Sequence, residues 1–430
     1  MTPAARLSAA IEVLAEIEAR RRPASDALKD WGLSHRFAGS GDRAAIGGLV
    51  YDALRRKASA AWIMDSAAPR GVALGMLRLA RGLEADAIAR LCEGRFAPEP
   101  LSDAERTRLT SADLAGAPPH VAGDYPEWLD PHLAASFGDA RADEGRALAE
   151  RAPLDLRVNL LKGTRDEALA AIGLLGAAAT PLSPLGLRIA HGPDAKSPAI
   201  HAEPAFIKGL IEVQDEGSQI AALLADAKPG EQVVDLCAGA GGKTLVLAAM
   251  MENKGQIYAT DTDKRRLAPI HVRLERAGVR NVQVRTPRPG DDALGDIAGQ
   301  ADLVVIDAPC SGIGAWRRNP DAKWRMRPGA LELRLKQQVE VLDQAVTLLK
   351  PQGRIVYITC SMLAVENGEQ VKAFLERQRA FSADALPIKG ALGDSAAAFD
   401  AAALKTPHGV LMTPRRTQTD GFFVATLRRK

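Results

Sequence analysis

The chain has 430 residues, 47% of them hydrophobic, and 56 Lys and Arg against 53 Asp and Glu give a formal net charge of +3. This length predicts two or three domains with sizeable cores and excludes wholesale disorder, while near-neutrality excludes a global basic field, so any nucleic-acid partner must be held by local clusters of arginine and lysine. Cys92, Cys237, Cys310 and Cys360 are widely spaced with no CxxC pair, which argues against a zinc ribbon or a disulfide framework and for a reducing, cytoplasmic setting without a metal.

Residues 1 to about 145 read as helical. Leu7, Ile11, Leu14 and Ile17 recur at helical spacing, and a second such stretch runs from Ile46. The N-terminus carries acidic residues and lacks the continuous apolar core of a signal peptide, and with no apolar run of ~18 residues no membrane span is predicted. Pro98, Pro100, Pro118 and Pro119 mark loops. A small α/β unit follows over about 150–205. It has a strand at 154–159, a helix at 164–175 with Thr164 as N-cap and Asp166 and Glu167 in its first turn, and a returning strand at 185–190. From 206 to 430, strands at 232–236, 255–260, 301–306, 353–359 and 421–427 alternate at first with helical stretches. That alternation predicts an α/β fold with a doubly wound, mainly parallel sheet, whose ligands sit at the carboxyl ends of the strands.

Between 233 and 244 the chain runs strand, tight turn, helix, and the turn is built of Cys237, Ala238, Gly239, Ala240, Gly241, Gly242 and Lys243. Glycines let backbone approach a ligand closely, and a helix N-terminus favours negative charge. Asp261, ending the next strand, can accept hydrogen bonds from ribose hydroxyls. A phosphate-binding GxxxxGK[ST] loop would need glycine where Cys237 stands, and a dinucleotide GxGxxG would need it at Thr244. The remaining reading is a site for S-adenosyl-L-methionine.

Two cysteines sit just past strand ends on the same edge of the sheet: Cys310 in Asp307-Ala308-Pro309-Cys310-Ser311-Gly312, and Cys360 in Thr359-Cys360-Ser361. Cys92 lies in a helical region and reads as structural. The segments DLCAGAGGKT, DAPCSGIG and YITCSM, with LRVN at 156–159, VQDEGSQ at 213–219, NPDAKWR at 319–325 and DGFF at 420–423, resemble the motifs of the NOL1/NOP2/Sun family of RNA (cytosine-5) methyltransferases, from about 150 to the end. The N-terminal helices, through Asp42-Arg43 leading into Leu49-Val50-Tyr51, resemble the NusB-like domain of the bacterial members that modify small-subunit ribosomal RNA.

The resemblance implies a Rossmann-like methyltransferase domain over 206–430, a small linking α/β subdomain over 150–205 and an all-α NusB-like RNA-binding domain over 1–145. It implies a monomer that methylates C5 of cytosine in RNA, with ribosomal RNA as the expected substrate. C5 of cytosine is a poor nucleophile until a thiolate adds to C6 and makes C5 enamine-like. A carboxyl group near N3 helps by sharing a proton, and a base must later remove the C5 proton. By resemblance Cys360 is the nucleophile, Cys310 assists release, and Asp307 contacts the cytosine and the cofactor. Residues Cys237 to Lys243 wrap the methionine end of the cofactor, Lys243 also faces the base, and Asp261 holds the ribose. One departure is the adenine-contacting Asp-Gly or Asp-Ala step. Here 286–292 reads TPRPGDD, with Asp291 and Asp292 as substitutes.

Arg317, Arg318, Lys323, Arg325 and Arg327 follow Cys310 with Trp316 and Trp324 interleaved. Guanidinium groups suit phosphate and indole rings suit stacking on an unpaired base, so this stretch is expected to contact RNA, extended by Arg157, Arg415 and Arg416. The target base has to leave its stack to be reached. A nucleotide hydrolase would leave both cysteines unexplained, and a non-catalytic RNA-binding scaffold would have no use for Asp307, Cys310 and Cys360 together.

Overall fold

The computed structural model describes residues 1–190, 198–287 and 293–430, which form two compact units. The first unit holds Met1–Arg151 together with Trp316–Arg327. Its opening helix, Pro3–Arg20, starts where Thr2 Oγ1 accepts from the Ala5 N–H and buries Leu7, Val13, Leu14 and Ile17. The helical stretch expected from Ile46 is two helices, Ser40–Arg55 and Lys57–Met64, because the backbone leaves helical geometry at Arg56. Ile46, Val50, Ala53, Ile63, Leu74 and Met76 join the first helix in one core. Residues 316–327, expected inside the 206–430 domain, belong instead to this helical unit.

The second unit opens with a four-stranded antiparallel sheet. Its strands are β1 (Leu154–Val158), β2 (Ala177–Ala179), β3 (Gly186–Ile189) and β4 (Ile211–Val213), in the order β2-β3-β1-β4. The helix Arg165–Ile172 follows β1. Thr164 and Glu167 cap each other's backbone there, which satisfies two amides that the first turn leaves without helical partners. Leu156, Val158, Ile172, Leu187 and Ile211 make the core of this subdomain, which therefore continues past residue 205 through β4.

The main sheet contains β5 (Gln232–Asp235), β6 (Gln256–Ala259), β7 (Val282–Val284), β8 (Ala301–Asp307), β9 (Leu349–Thr359), β10 (Phe381–Asp384), β11 (Leu404–Thr406), β12 (Gly409–Met412) and β13 (Phe422–Arg429). Their order is β11-β12-β13-β9-β8-β5-β6-β7, with β10 on β13. The run β9-β8-β5-β6-β7 is parallel and the flank from β13 outward is antiparallel. Val233, Ile257, Leu303, Val305, Val356 and Ile358 are fully buried, as strands covered on both faces require. The chain proceeds from β5 to β6 and β7 on one side, then returns to β8 on the other. That reversal leaves a crevice at the carboxyl ends of β5 and β8, where such sheets bind ligands. Asp291 and Asp292 lie outside the described residues. Among the described residues no helix is long and apolar enough to cross a membrane.

Candidate active site

The turn after β5 is pinned on several sides. Ala238 N–H donates to Thr260 O at 2.8 Å and Gly241 N–H to Ala238 O at 2.9 Å, while Arg273 Nη1 donates to Ala240 O at 2.7 Å. Gly241 has φ +83, and a Cβ there would stand 2.5 Å from Ile270 Cγ1, so both backbone angle and space demand glycine. The helix Gly242–Met250 begins without a side-chain cap, so its first amides remain for a ligand. Asp261, 2% exposed, accepts from Gly239 N–H at 3.0 Å through Oδ2 and from Asp263 N–H at 2.8 Å through Oδ1. Arg266 Nη1 stands 3.8 Å from it. Beside Gly239 there is room, since an added Cβ would meet nothing closer than 3.6 Å. A carboxylate beside open space, a close-approach turn and an uncapped helix start suit the ribose and the carboxylate of S-adenosyl-L-methionine. Burial pushes the Asp235 carboxyl up to about 7 and the Cys237 thiol above its ordinary range. Asp235 accepts from Thr244 Oγ1 at 2.7 Å.

The structure brings Cys310 and Cys360 together. They follow adjacent parallel strands, β8 and β9, and their sulfurs are 3.3 Å apart as free thiols. Hydrogen bonding to Cys360, then burial, holds the Cys310 thiol well above its ordinary range. Backbone contacts fix the loops: Gly314 N–H donates to Cys360 O at 3.0 Å and Gly421 N–H to Gly314 O at 2.9 Å. A Cβ on Gly314 would meet Gly421 O at 2.1 Å, so β13 can start there only against glycine. Lys243 Nζ donates to Asp307 Oδ2 at 2.7 Å and lies 5.0 Å from the Phe422 ring centroid. The two thiols follow β8 and β9, while the carboxylate ends β8 and the ammonium comes from the helix after β5.

Sequence reasoning missed the buried Glu366. Its carboxylate accepts from Ser311 N–H at 2.7 Å, from the Ser311 and Ser361 hydroxyls, and from Gln338 Nε2 at 3.1 Å. The available signal was the repeated Cys-Ser step at 310–311 and 360–361.

Three residues expected to face RNA are buried instead. Lys323, 2% exposed, donates to Arg55 O at 2.8 Å and Asp124 O at 2.6 Å, and burial pulls its ammonium down to about 7. Arg317 is 5% exposed, and its carbonyl accepts from Arg55 Nη1. Arg157, 1% exposed, donates to Gln214 Oε1 at 2.6 Å, and burial lowers its guanidinium to about 10. Groups sealed in this way cannot reach a phosphate oxygen. Trp316 is buried and Trp324 packs on the helical core with its Nε1 donating to Leu54 O at 2.6 Å, so the interleaved rings anchor the segment. Arg318 is half-buried, while Arg325, Arg327, Arg415 and Arg416 are exposed.

A family model described as 16S rRNA methyltransferase RsmB/F matches residues 222–428, and one described as the RsmF/B-like ferredoxin-like domain matches residues 125–196. The chain is 30% identical over 308 residues to the probable ribosomal RNA small subunit methyltransferase B of Synechocystis sp., a match covering 71% of this chain and 67% of that protein. With the ribosomal RNA small subunit methyltransferase B of Escherichia coli it shares 34% identity over 315 residues, covering 71% and 66%. These matches span about two thirds of the length of those relatives. The crystal structure of PH0851, 25% identical, aligns with a TM-score of 0.70 over 100% of this chain and 99% of that one. A methyltransferase homologue from Pyrococcus horikoshii, also 25% identical, gives 0.58 over 73% and 98%.

Proposed function

The chain belongs to the RsmB/F family of 16S rRNA methyltransferases, and on that premise we propose that it methylates C5 of a cytosine in ribosomal RNA, in the cytoplasm, through a covalent bond between Cys360 and C6. S-adenosyl-L-methionine is the cofactor and supplies the methyl group as an electrophilic sulfonium carbon. The observation that carries the reading is the pair of free thiols 3.3 Å apart, with Cys310 in the same Asp307–Gly312 segment as the Asp307 that holds Lys243.

Cys310 and Cys360 face each other at 3.3 Å, and either sulfur can donate to the other. The Thr359-Cys360-Ser361 segment, which resembles the family's nucleophile motif, makes Cys360 the attacking thiol. Attack forms the S–C6 bond and breaks the C5–C6 double bond, with the electron pair shared between C5 and, through C4, N3. The proton that Lys243 Nζ donates toward Asp307 Oδ2 passes by way of that carboxylate to N3 as charge builds there, and returns when the ring loses the charge. With C5 now enamine-like it can accept the methyl group. Release requires the C5 proton to leave: Cys310, its own proton having passed to solvent, takes the C5 proton, the C5–H electron pair reforms the C5–C6 double bond, and the S–C6 bond breaks so that Cys360 departs as thiolate. The turn from Cys237 to Lys243 and the Asp261 carboxylate hold the cofactor.

Denaturing gels with a small-subunit ribosomal RNA transcript and cofactor test the roles. Cys310→Ser is expected to accumulate a covalent protein–RNA adduct, and Cys360→Ser to form none and turn over little, because a hydroxyl is far less nucleophilic than a thiolate near neutral pH. The double variant behaves as Cys360→Ser. Trapping by the Cys360 variant would reverse the two roles. Methylation intact in both without adduct would remove the cysteines from the chemistry.

A further inference from the structure

Glu366 has no exposed surface, and among the described residues no lysine or arginine nitrogen lies within 4.0 Å of it. A buried carboxylate without a cation costs several kcal/mol, and apolar side chains of the same volume would pack more cheaply. What it gains is four donors: one Oε takes Ser311 N–H and Gln338 Nε2, and the other takes the hydroxyls of Ser311 and Ser361. These serines each follow one of the paired cysteines. Gln338 also donates to Pro309 O at 3.0 Å, just before Cys310, and Asn367 Nδ2 donates to Ser361 O at 3.0 Å, just after Cys360. The backbone at Glu366 is fixed from behind, where Tyr357 Oη donates to its main-chain carbonyl at 2.7 Å. Hydrogen bonds to an ionised acceptor are short and about twice as strong as neutral ones. One side chain therefore staples two loops that belong to different strands.

We infer that Glu366 is a positioning residue that holds the Cys310 and Cys360 loops in register, so that the two sulfurs meet at 3.3 Å. Loss of that register would remove the largest influence holding the Cys310 thiol up, its hydrogen bond to Cys360, and loss of the nearby Glu366 charge acts in the same direction. This inference rests on the reading of the cysteines as the reacting pair.

Iodoacetamide alkylation of each thiol across a pH series, read by peptide mass spectrometry, reports on the pair without RNA or cofactor. In full-length Glu366→Gln the rate–pH profile of Cys310 is expected to move to lower pH. Turnover on the ribosomal RNA transcript should fall between about tenfold and a hundredfold, the scale of a misplaced reacting group, with KM for RNA and affinity for S-adenosylhomocysteine unchanged. Ser361→Ala removes one hydroxyl and keeps the carboxylate. It should lower turnover in the same direction, by less, and it decides the question where Glu366→Gln does not fold. Unchanged thiol profiles and turnover would overturn the inference. So would equal losses of turnover and S-adenosylhomocysteine affinity with the thiol profile fixed, since that pattern marks a role in the fold alone. A shifted Cys310 profile in Glu366→Gln, found together with a wild-type chain that methylates no RNA, would uphold the positioning role and sink the proposed activity.

Discussion

Asp261 shows how one side chain can serve both fold and ligand. Its two oxygens each already accept a backbone amide, from Gly239 and from Asp263, so the carboxylate shapes the turn that it borders. A ribose hydroxyl would use the remaining lone pairs. Asp261→Ala is expected to weaken S-adenosylhomocysteine binding by ~1.5–3 kcal/mol if the lost acceptor is charged, measured by calorimetry, whereas Asp261→Asn keeps one acceptor and should lose less. Equal affinity in both variants and wild type would take Asp261 out of the site. The type of residue needed was legible from its place at a strand end. Its second duty to the Gly239 amide was not, because that hydrogen bond joins residues from different strand–turn units.

At the scale of elements, the glycine turn and the capped helix are places where local sequence settles local structure. Thr164 and Glu167 stand at capping-box spacing, and both reciprocal bonds form. Gly241 combines a left-handed φ with the Ile270 side chain at 2.5 Å from any added Cβ. Gly241→Ala should therefore cost about 1–3 kcal/mol, seen as a lower melting temperature, and should abolish cofactor binding by moving the first turn of the Gly242–Met250 helix. Adding Ile270→Ala relieves the clash but leaves the backbone angle, so only partial recovery is expected. Full recovery would mean that space alone excluded the alanine. The strands β5, β6, β8, β9 and β13 were readable as apolar runs bounded by turn residues, whereas β10 and β12 owe their pairing to β13, and β11 to β12, contacts that no local pattern announces.

For the molecule as a whole, the segment Trp316–Arg327 is decisive, because it leaves the chain of the catalytic unit and completes the core of the helical one. Residues 1–151 expressed alone would lack Trp316, Lys323 and Trp324, leaving the carbonyls of Leu54, Arg55 and Asp124 without these donors. Such a fragment is expected to melt well below the intact chain and to regain stability when a 316–327 peptide is added. A fragment as stable alone as in the chain would refute that dependence. Lys323 also carries a pH signature. Burial pulls its ammonium to about 7 from the ordinary 10.5, so between those values the unfolded chain holds a proton that the folded chain has shed. The stability contributed by this residue therefore rises with pH across that window. Wild type should gain on Lys323→Met in urea unfolding as pH is raised from about 7 to about 10. A difference that stays constant with pH would place the ammonium in a less buried setting.

By itself the sequence determined β5, β6, β8 and β9 of the parallel run, though not β7, together with the glycine turn and the position of both thiols past strand ends, because each depends on residues close together in the chain: an apolar run, a breaker, a reactive side chain at the boundary. Tertiary structure alone decided which charges face water. Arg157, Arg317 and Lys323 carry the same residue types as a phosphate-binding stripe, yet each is enclosed by backbone carbonyls or side chains supplied from elsewhere in the fold. Residue type sets what a side chain could bind, and burial sets whether anything outside can reach it. The same separation hid Glu366, whose role arises only when two loops 50 residues apart close on one carboxylate.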